Sequence, residues 1–430
     1  MSRDRLGGLC LVGAVLAALA VAQPARAAPA DADGPIASPE PGWPQWRGPR
    51  RDGVSDAKGL LQEWPEGGPP LLWKTSGLGR GWSSPIVTGG AIYITGDVGD
   101  ELRVFAFDLD GKPKWQSENG RAWKGQHPGA RACCAASEGR IYHMNAHGRL
   151  ACLDAGTGRE VWAANVLERF EGKNLTWAIS ECVLVDGANV LVTPGGKKAF
   201  MAALDSKTGA TAWASEPMPD PETERTGYGS PLLFRRGGRR LLAAGSLRSL
   251  VCVDADAGKV LWTFPKRTKY EAACATPLYW QGCLFYSLPS KSGSVMLRLA
   301  TDGGVQPEKV WECRMDNLSG GVVACDGYLY GSGEDNRGWY CLDARTGEEK
   351  YCAKDLAQSA VLWADGRLYC LGERGEMVLV KPGPDALHVV GRFRLTDGAE
   401  PDAWAHPVVL DGRLYLRYHD DLYCYDVRQR

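Results

Sequence analysis

The sequence predicts an all-β protein, an eight-bladed β-propeller of four-stranded antiparallel blades closed by an N-terminal strand. Three observations carry that expectation. Of 430 residues, 54 are glycine, 16 tryptophan and 15 tyrosine, a turn-rich and aromatic-rich composition. One phrase recurs through the chain, an apolar residue and Asp, then Thr-Gly or a relative of it, then Trp. The aromatics that close each phrase, at 115, 162, 213, 262, 311, 351 and 393, stand 40 to 51 residues apart, the period of a propeller blade.

Met1 to Ala27 is expected to be a secretory signal peptide rather than structure. Arg3 and Arg5 precede an apolar run, and Ala25-Arg26-Ala27 has the small-residue pattern of a cleavage site. Residues 28–42, rich in Ala, Pro and Asp, are expected to form a flexible linker. The propeller is expected over 43–430. Its units are Phe107-Asp108 to Trp115, Leu153-Asp154 to Trp162, Leu204-Asp205 to Trp213, Val253-Asp254 to Trp262 and Leu342-Asp343 to Tyr351, with further units ending at Trp311 and Phe393. An eighth starts at Trp404 and runs out at Tyr425-Asp426-Val427, one strand short. Leu71-Leu72-Trp73-Lys74 reads as a strand with no blade of its own, so pairing the two closes the ring and removes exposed edges.

The residue types fit the turn they build. The Asp carboxylate takes backbone N–H groups just ahead of it, and the Gly supplies a positive φ. The following Trp is expected to fill the wedge between blades. Cys152, Cys252, Cys341 and Cys424 precede the same turn and read as small apolar core positions.

Register also locates a candidate site. The innermost strands begin at Ser84 and at its equivalents Cys133, Cys182, Ser230, Thr276, Gly321, Ala360 and His406, which ring the axial channel. The ring next to it is Trp82, Arg131, Ser180, Tyr228, Cys274, Ser319, Gln358 and Trp404. Trp82, Arg131, Tyr228, Trp404 and His406 are therefore candidates for holding a flat or anionic ligand by stacking and bidentate bonds, with aromatic plugging of the channel as the alternative. Lys and Arg number 50 against 51 Asp and Glu, a balance that argues against nucleic acid as partner. Paired C-x-x-C, H-E-x-x-H, G-x-S-x-G and P-loop patterns are absent, so no metal ligand set and no catalytic residue is assigned.

The repeats resemble the pyrroloquinoline-quinone (PQQ) type of propeller repeat. More narrowly, the chain resembles bacterial secreted PQQ-binding-like β-propeller repeat proteins, of the quinoprotein alcohol dehydrogenase-like superfamily. Trp43-Pro44-Gln45-Trp46-Arg47-Gly48-Pro49, Gly79 to Pro85 and Trp404-Ala405-His406-Pro407 carry the likeness, which spans about residues 43–427. The resemblance makes Cys133 and Cys134 candidates for cofactor contact, because a vicinal disulfide stacks on the quinone in the dehydrogenases. Buried thiols or a structural bridge is the other reading of the pair. The loop matching the dehydrogenases' calcium-binding glutamate reads Thr193-Pro194-Gly195-Gly196-Lys197-Lys198, and lysine there would repel calcium. The expectation is an exported, non-catalytic scaffold in the periplasm or at the cell surface, monomeric and without a transmembrane segment once the leader is removed. It would take a protein partner or small ligand at the channel mouth and needs no cofactor. The alternatives are a PQQ- and calcium-dependent oxidoreductase and a surface carbohydrate- or peptide-binding module.

Overall fold

Eight sheets surround one axis in a computed structural model that describes residues 32–318, 321–396 and 402–429. The first strands of blades one to eight are Ile86–Thr88, Ala135–Ser137, Leu184–Asp186, Leu232–Arg236, Leu278–Trp280, Val322–Cys325, Ser359–Ala364 and Val408–Leu410. Each is followed by antiparallel neighbours in sequence order, as in blade two, where Arg140–Met144, Arg149–Asp154 and Glu160–Asn165 complete the sheet. The ring closes as the sequence predicts. Leu71–Thr75 is the outer strand of blade eight, with Leu71 opposite Tyr425, Trp73 opposite Cys424 and Thr75 opposite Leu422.

The core lies between blades, because each sheet has an apolar face on both sides. Val104 and Ala106 of blade one, for example, pack against Ile141, Ala151 and Leu153 of blade two. The repeated Trp does more than fill this wedge. The Trp162 indole lies on the turn glycine of the next blade, so near that a Cβ on Gly209 would sit 2.6 Å from the ring. Its Nε1 donates to the Ser206 carbonyl of that turn at 3.0 Å. The same bond runs from Trp73 to Leu109, Trp115 to Ala155, Trp262 to Gly303 and Trp311 to Ala344. Gly209 also has φ of 70°, so two independent constraints select glycine there. The repeat phrase is thus a lock between neighbours, with the Trp of one blade engaging the Gly turn of the next.

One expectation about the N-terminal region changes. The signal-peptide reading of 1–27 lies outside the described residues. The linker reading of 28–42 fails over its described part. Gly34–Pro35 adds a short antiparallel strand to blade four, Ile36 packs on that blade's core, and Asp33 pairs with Arg236 at 2.8 Å. Three backbone and ionic contacts outweigh a composition that offers little to bury. Among the described residues no helix is long and apolar enough to cross a membrane. The four-residue helix Val166–Arg169 is capped by Asn165.

Candidate functional site

One end of the axial channel is sealed by the chain's own N-terminal segment. Between Trp43 and Ser55 it crosses the axis and touches every blade. Trp43 N donates to Val87 O at 2.7 Å, and Pro44 O accepts from Ala136 N at 2.9 Å. Arg51 donates to the carbonyls of Cys182 (2.9 Å), Val183 (2.5 Å) and Pro231 (2.8 Å), and Arg47 to that of Val322 (2.6 Å). Val54–Ser55 pairs parallel with blade seven, and Ser55 Oγ donates to Val409 O at 2.7 Å. Trp46 supplies the remaining contact, Nε1 to Thr276 Oγ1 of blade five at 3.2 Å, with its indole edge-on to His406 at 4.4 Å. Both arginines are buried, and burial lowers each guanidinium pKa to about 10, which leaves them charged at neutral pH.

Above Trp46 the predicted inner ring is stitched blade to blade. His406 N donates to Ser84 Oγ (2.6 Å), Ser84 N to Cys133 Sγ (3.1 Å), Cys133 N to Cys182 Sγ (3.1 Å) and Cys182 N to Ser230 Oγ (3.0 Å). Small polar side chains are needed here because each one caps its neighbour's backbone. Gly321 and Ala360 lie across from them, where a Cβ on Gly321 would approach the His406 ring to 3.0 Å.

The other end of the channel opens as a funnel of about 610 Å³ with Trp46 as its floor. Its walls carry Trp82, Arg131, Ser180, Tyr228, Cys274, Gln358 and Trp404, so the described members of the predicted outer ring converge on one cavity. Ser319 lies outside the described residues. Paired loops hold them in place. Trp82 N donates to Ala130 O at 2.7 Å and Tyr228 N to Ala273 O at 2.7 Å. Gly81 permits the first contact, since a Cβ there would stand 2.5 Å from Ala130 O. The Trp82 and Trp404 rings meet at 4.7 Å, and Trp177 meets Tyr228 at 5.7 Å.

Three candidate residues are not in this cavity. Cys133 lies beneath it as a link of the inner ring, Cys134 is packed in the core between blades one and two, and His406 is buried beside Trp46. All thirteen described cysteines are free thiols, so the bridge reading of Cys133-Cys134 does not hold. Burial pushes the Cys134 thiol well above its usual range. Arg131 does reach the wall, but its terminal nitrogens donate to the carbonyls of Trp177 and His127, and its plane lies over Trp82 (5.6 Å) and Trp123 (5.9 Å). It is a loop clamp rather than a bidentate anion fork. Lys197 and Lys198 pair on the surface with Glu222 and Glu171, both at 3.0 Å, because Gly195 and Gly196 fold their loop back over residues 170–171. The repulsion of calcium expected from Lys198 is therefore withdrawn.

The opposite wall, which sequence reasoning missed, is acidic. Glu334 and Asp335 follow the second strand of blade six, Tyr328–Gly333, and line the funnel. With buried Asp316 they bring carboxylate oxygens within 4.8 Å of one another. Asp316 is taken up by backbone N–H groups of Lys291 (2.9 Å), Glu334 (3.1 Å) and Asn336 (3.1 Å), and Glu334 accepts from Ser290 N at 2.8 Å. The Glu334 pKa is raised by burial first, then by the negative charges of Asp335, Asp316 and Glu373. Register was the signal available, since these acids occupy in blade six the loop that Thr193 to Lys198 occupies in blade three.

A profile of the family described as outer membrane protein assembly factor BamB matches residues 104–351. Curated relatives include quinohemoprotein alcohol dehydrogenase ADH-IIG of Pseudomonas putida, 31% identical over 176 residues, 35% of this chain and 23% of that protein. Lanthanide-dependent methanol dehydrogenase of Methylacidiphilum fumariolicum is 32% identical over 160 residues, 33% of this chain and 24% of the relative. The aligned part spans about a quarter of each of these relatives. Among solved structures, BamB from Moraxella catarrhalis superposes with a TM-score of 0.58 at 15% identity, covering 84% of this chain and 98% of its own. A europium-containing methanol dehydrogenase gives 0.61 at 15% identity, covering 85% and 87%. At that identity the superpositions show the fold alone. The profile match takes in more than half of the chain, from blade one to the aromatic that closes blade six, and the chain accordingly belongs to the PQQ-type propeller repeat family described as outer membrane protein assembly factor BamB.

Proposed function

We propose that this chain is an exported, non-catalytic propeller that binds a small ligand or a segment of a partner protein in the aromatic funnel. The observation that carries this reading is the pairing of a cavity of about 610 Å³ with a channel closed beneath it by Trp46 and the segment around it. Such a cup buries one end of a ligand and leaves the other at the surface, which suits binding and assembly. No nucleophile paired with a base, and no acid–base pair poised over a reacting atom, is found among the cavity's lining residues.

A second reading, quinone-dependent alcohol oxidation, is favoured by the curated relatives named above. The funnel residues do not fit that group. PQQ carries three carboxylates, whereas the lining offers Glu334 and Asp335 on one wall and, on the other, an Arg131 whose terminal nitrogens already serve two carbonyls. The free thiols Cys133 and Cys134 lie outside the lining. Calcium takes six to eight oxygens, and in the acidic group found at the mouth among the described residues Asp316 is already committed to backbone N–H groups.

The deciding experiment incubates purified protein with PQQ and Ca²⁺, then follows quinone absorbance after desalting and alcohol-dependent dye reduction. Retention of no quinone and no turnover is expected. One quinone retained per chain, with dye reduction, would replace the scaffold by the oxidoreductase.

A further inference from the structure

The two walls of the funnel differ in chemistry, and the difference defines a ligand class. One wall is aromatic, with the Trp82–Trp404 pair and the Trp177–Tyr228 pair presenting ring faces and edges above Trp46. The other carries Glu334 and Asp335, for which the described residues supply no ion pair. Lys291 meets Asp316 through its backbone N–H, and Arg314 pairs with Glu349 instead. Arg131, the one guanidinium among the described residues that line the cavity, is clamped on the far wall and stacked on Trp82, so it does not neutralise these acids. An anionic ligand would bring like charge against two carboxylates. A neutral one would desolvate them without countercharge.

We infer that the funnel takes an organic cation on an apolar stem, a guanidinium or alkylammonium group, with the charge at Glu334 and Asp335 and the stem along Trp82, Trp404 and Trp177. This rests on the binding reading above and names its ligand class. Aromatic faces attract such cations, most strongly when water is excluded, and a carboxylate at the same mouth adds a charge-assisted hydrogen bond. Glu334 is pre-set for the role, because Ser290 N–H fixes one oxygen at 2.8 Å. The same chemistry occurs in a free amine and in a Lys or Arg side chain of a partner protein, and the two sources are separable.

The test uses the intrinsic tryptophan fluorescence of the whole chain, since four indoles line the cavity. The probes are agmatine, acetyl-Gly-Arg-Gly-amide, its citrulline counterpart (the same stem without charge) and its glutamate counterpart. Saturable binding of the two cationic probes is expected, with citrulline at least about tenfold weaker and glutamate undetectable. Tighter binding of the peptide than of agmatine identifies a protein side chain as the source, and the reverse identifies a free amine. Glu334→Gln combined with Asp335→Asn should weaken the arginine peptide at least about tenfold and leave the citrulline peptide unchanged. Equal affinity for arginine and citrulline, preference for glutamate, or no saturable binding of either cationic probe would overturn the inference. The wild-type comparison stands even if the double variant folds poorly. Citrulline binding as tight as arginine binding, or preferred binding of glutamate, would end the cation assignment while keeping the binding reading, whereas quinone turnover would end the binding reading itself.

Discussion

The two ends of the axial channel are made from different kinds of residue. At the closed end, the charges of the plug are satisfied from within. Arg51 is buried and its guanidinium is spread over Gln45 Oε1 and three carbonyls from two blades. At the open end, Asp335 is exposed and makes no ion pair among the described residues, and Glu334 sits in a field of like charge. The closed end uses Arg47 and Arg51 to tie the plug to blades three, four and six; the open end leaves Glu334 and Asp335 lining the cavity. An interior that leaves a polar group unsatisfied loses stability, so unsatisfied groups are tolerated where solvent or a ligand completes them.

The largest test of that contrast removes the closed end entirely. Deleting residues 28–76 takes away the segment beneath Trp46 and the Leu71–Thr75 strand that completes blade eight. Blade eight would then show an unpaired outer edge, and the axis would lose its plug. Aggregation or loss of the cooperative thermal transition is expected in a calorimetric scan. A truncated chain that melts like the full one would mean that neither the strand nor the plug closes the ring.

A single substitution, Arg51→Met, makes the same point more finely. Methionine fills similar volume but leaves the carbonyls of Cys182, Val183 and Pro231 without their donors. The expected cost is about 3 kcal/mol or more, from roughly 1–3 kcal/mol for each buried acceptor left without a donor, read as a fall in the denaturant midpoint at constant slope. Arg51→Lys should recover little, since a point charge cannot reach three carbonyls in a planar fork. A stability within about 0.5 kcal/mol of the parent would make the plug a passenger rather than a brace.

How much of this contrast the sequence displays follows from what repeats. The circumference repeats, so Asp154, Gly158 and Trp162 announce a turn and a lock that recur under the same steric rules in the next blades. The inner and outer rings follow from register, which placed Trp82, Arg131, Tyr228 and Trp404 at one cavity. Register does not give side-chain direction, so it groups His406 with them although that ring is buried beside Trp46, while Cys133 and Cys134 enter through the family resemblance and lie in the packing. The plug occurs once, in a segment of low apolar content whose contacts lie tens to hundreds of residues away, so nothing periodic marks it. Its Trp46 and Arg47 are visible only as part of a family resemblance, and nothing in the sequence marks Arg51. Glu334 and Asp335 look like ordinary loop acids until the ring places them across from the indoles. The funnel's charge is a property of eight unlike loops brought together, which no single loop encodes.

The smallest expected effect separates the two ends by pH. Glu181, next to Cys182 beneath the funnel, is buried; its Oε2 accepts Thr193 N–H at 3.0 Å, and Oε1 has no partner. Burial raises its pKa to about 8 against an ordinary glutamate value near 4.5. Between those values the folded chain holds a proton there that the unfolded chain has released. The native state therefore binds more protons, and this group's contribution to stability falls as pH rises from about 4.5 to about 8. It is fully present below the lower value. One differential proton corresponds to a slope of at most about 1.4 kcal/mol per pH unit. Glu181→Gln keeps an acceptor for Thr193 and removes the titration, so unfolding free energies measured from pH 5 to 8 should lose that slope. Asp335→Asn, at the solvated end, should leave the slope as it is. If Glu181→Gln leaves it too, the closed end does not hold Glu181 as a neutral acid, and the division between a self-satisfied floor and a charged mouth fails at its most buried carboxyl.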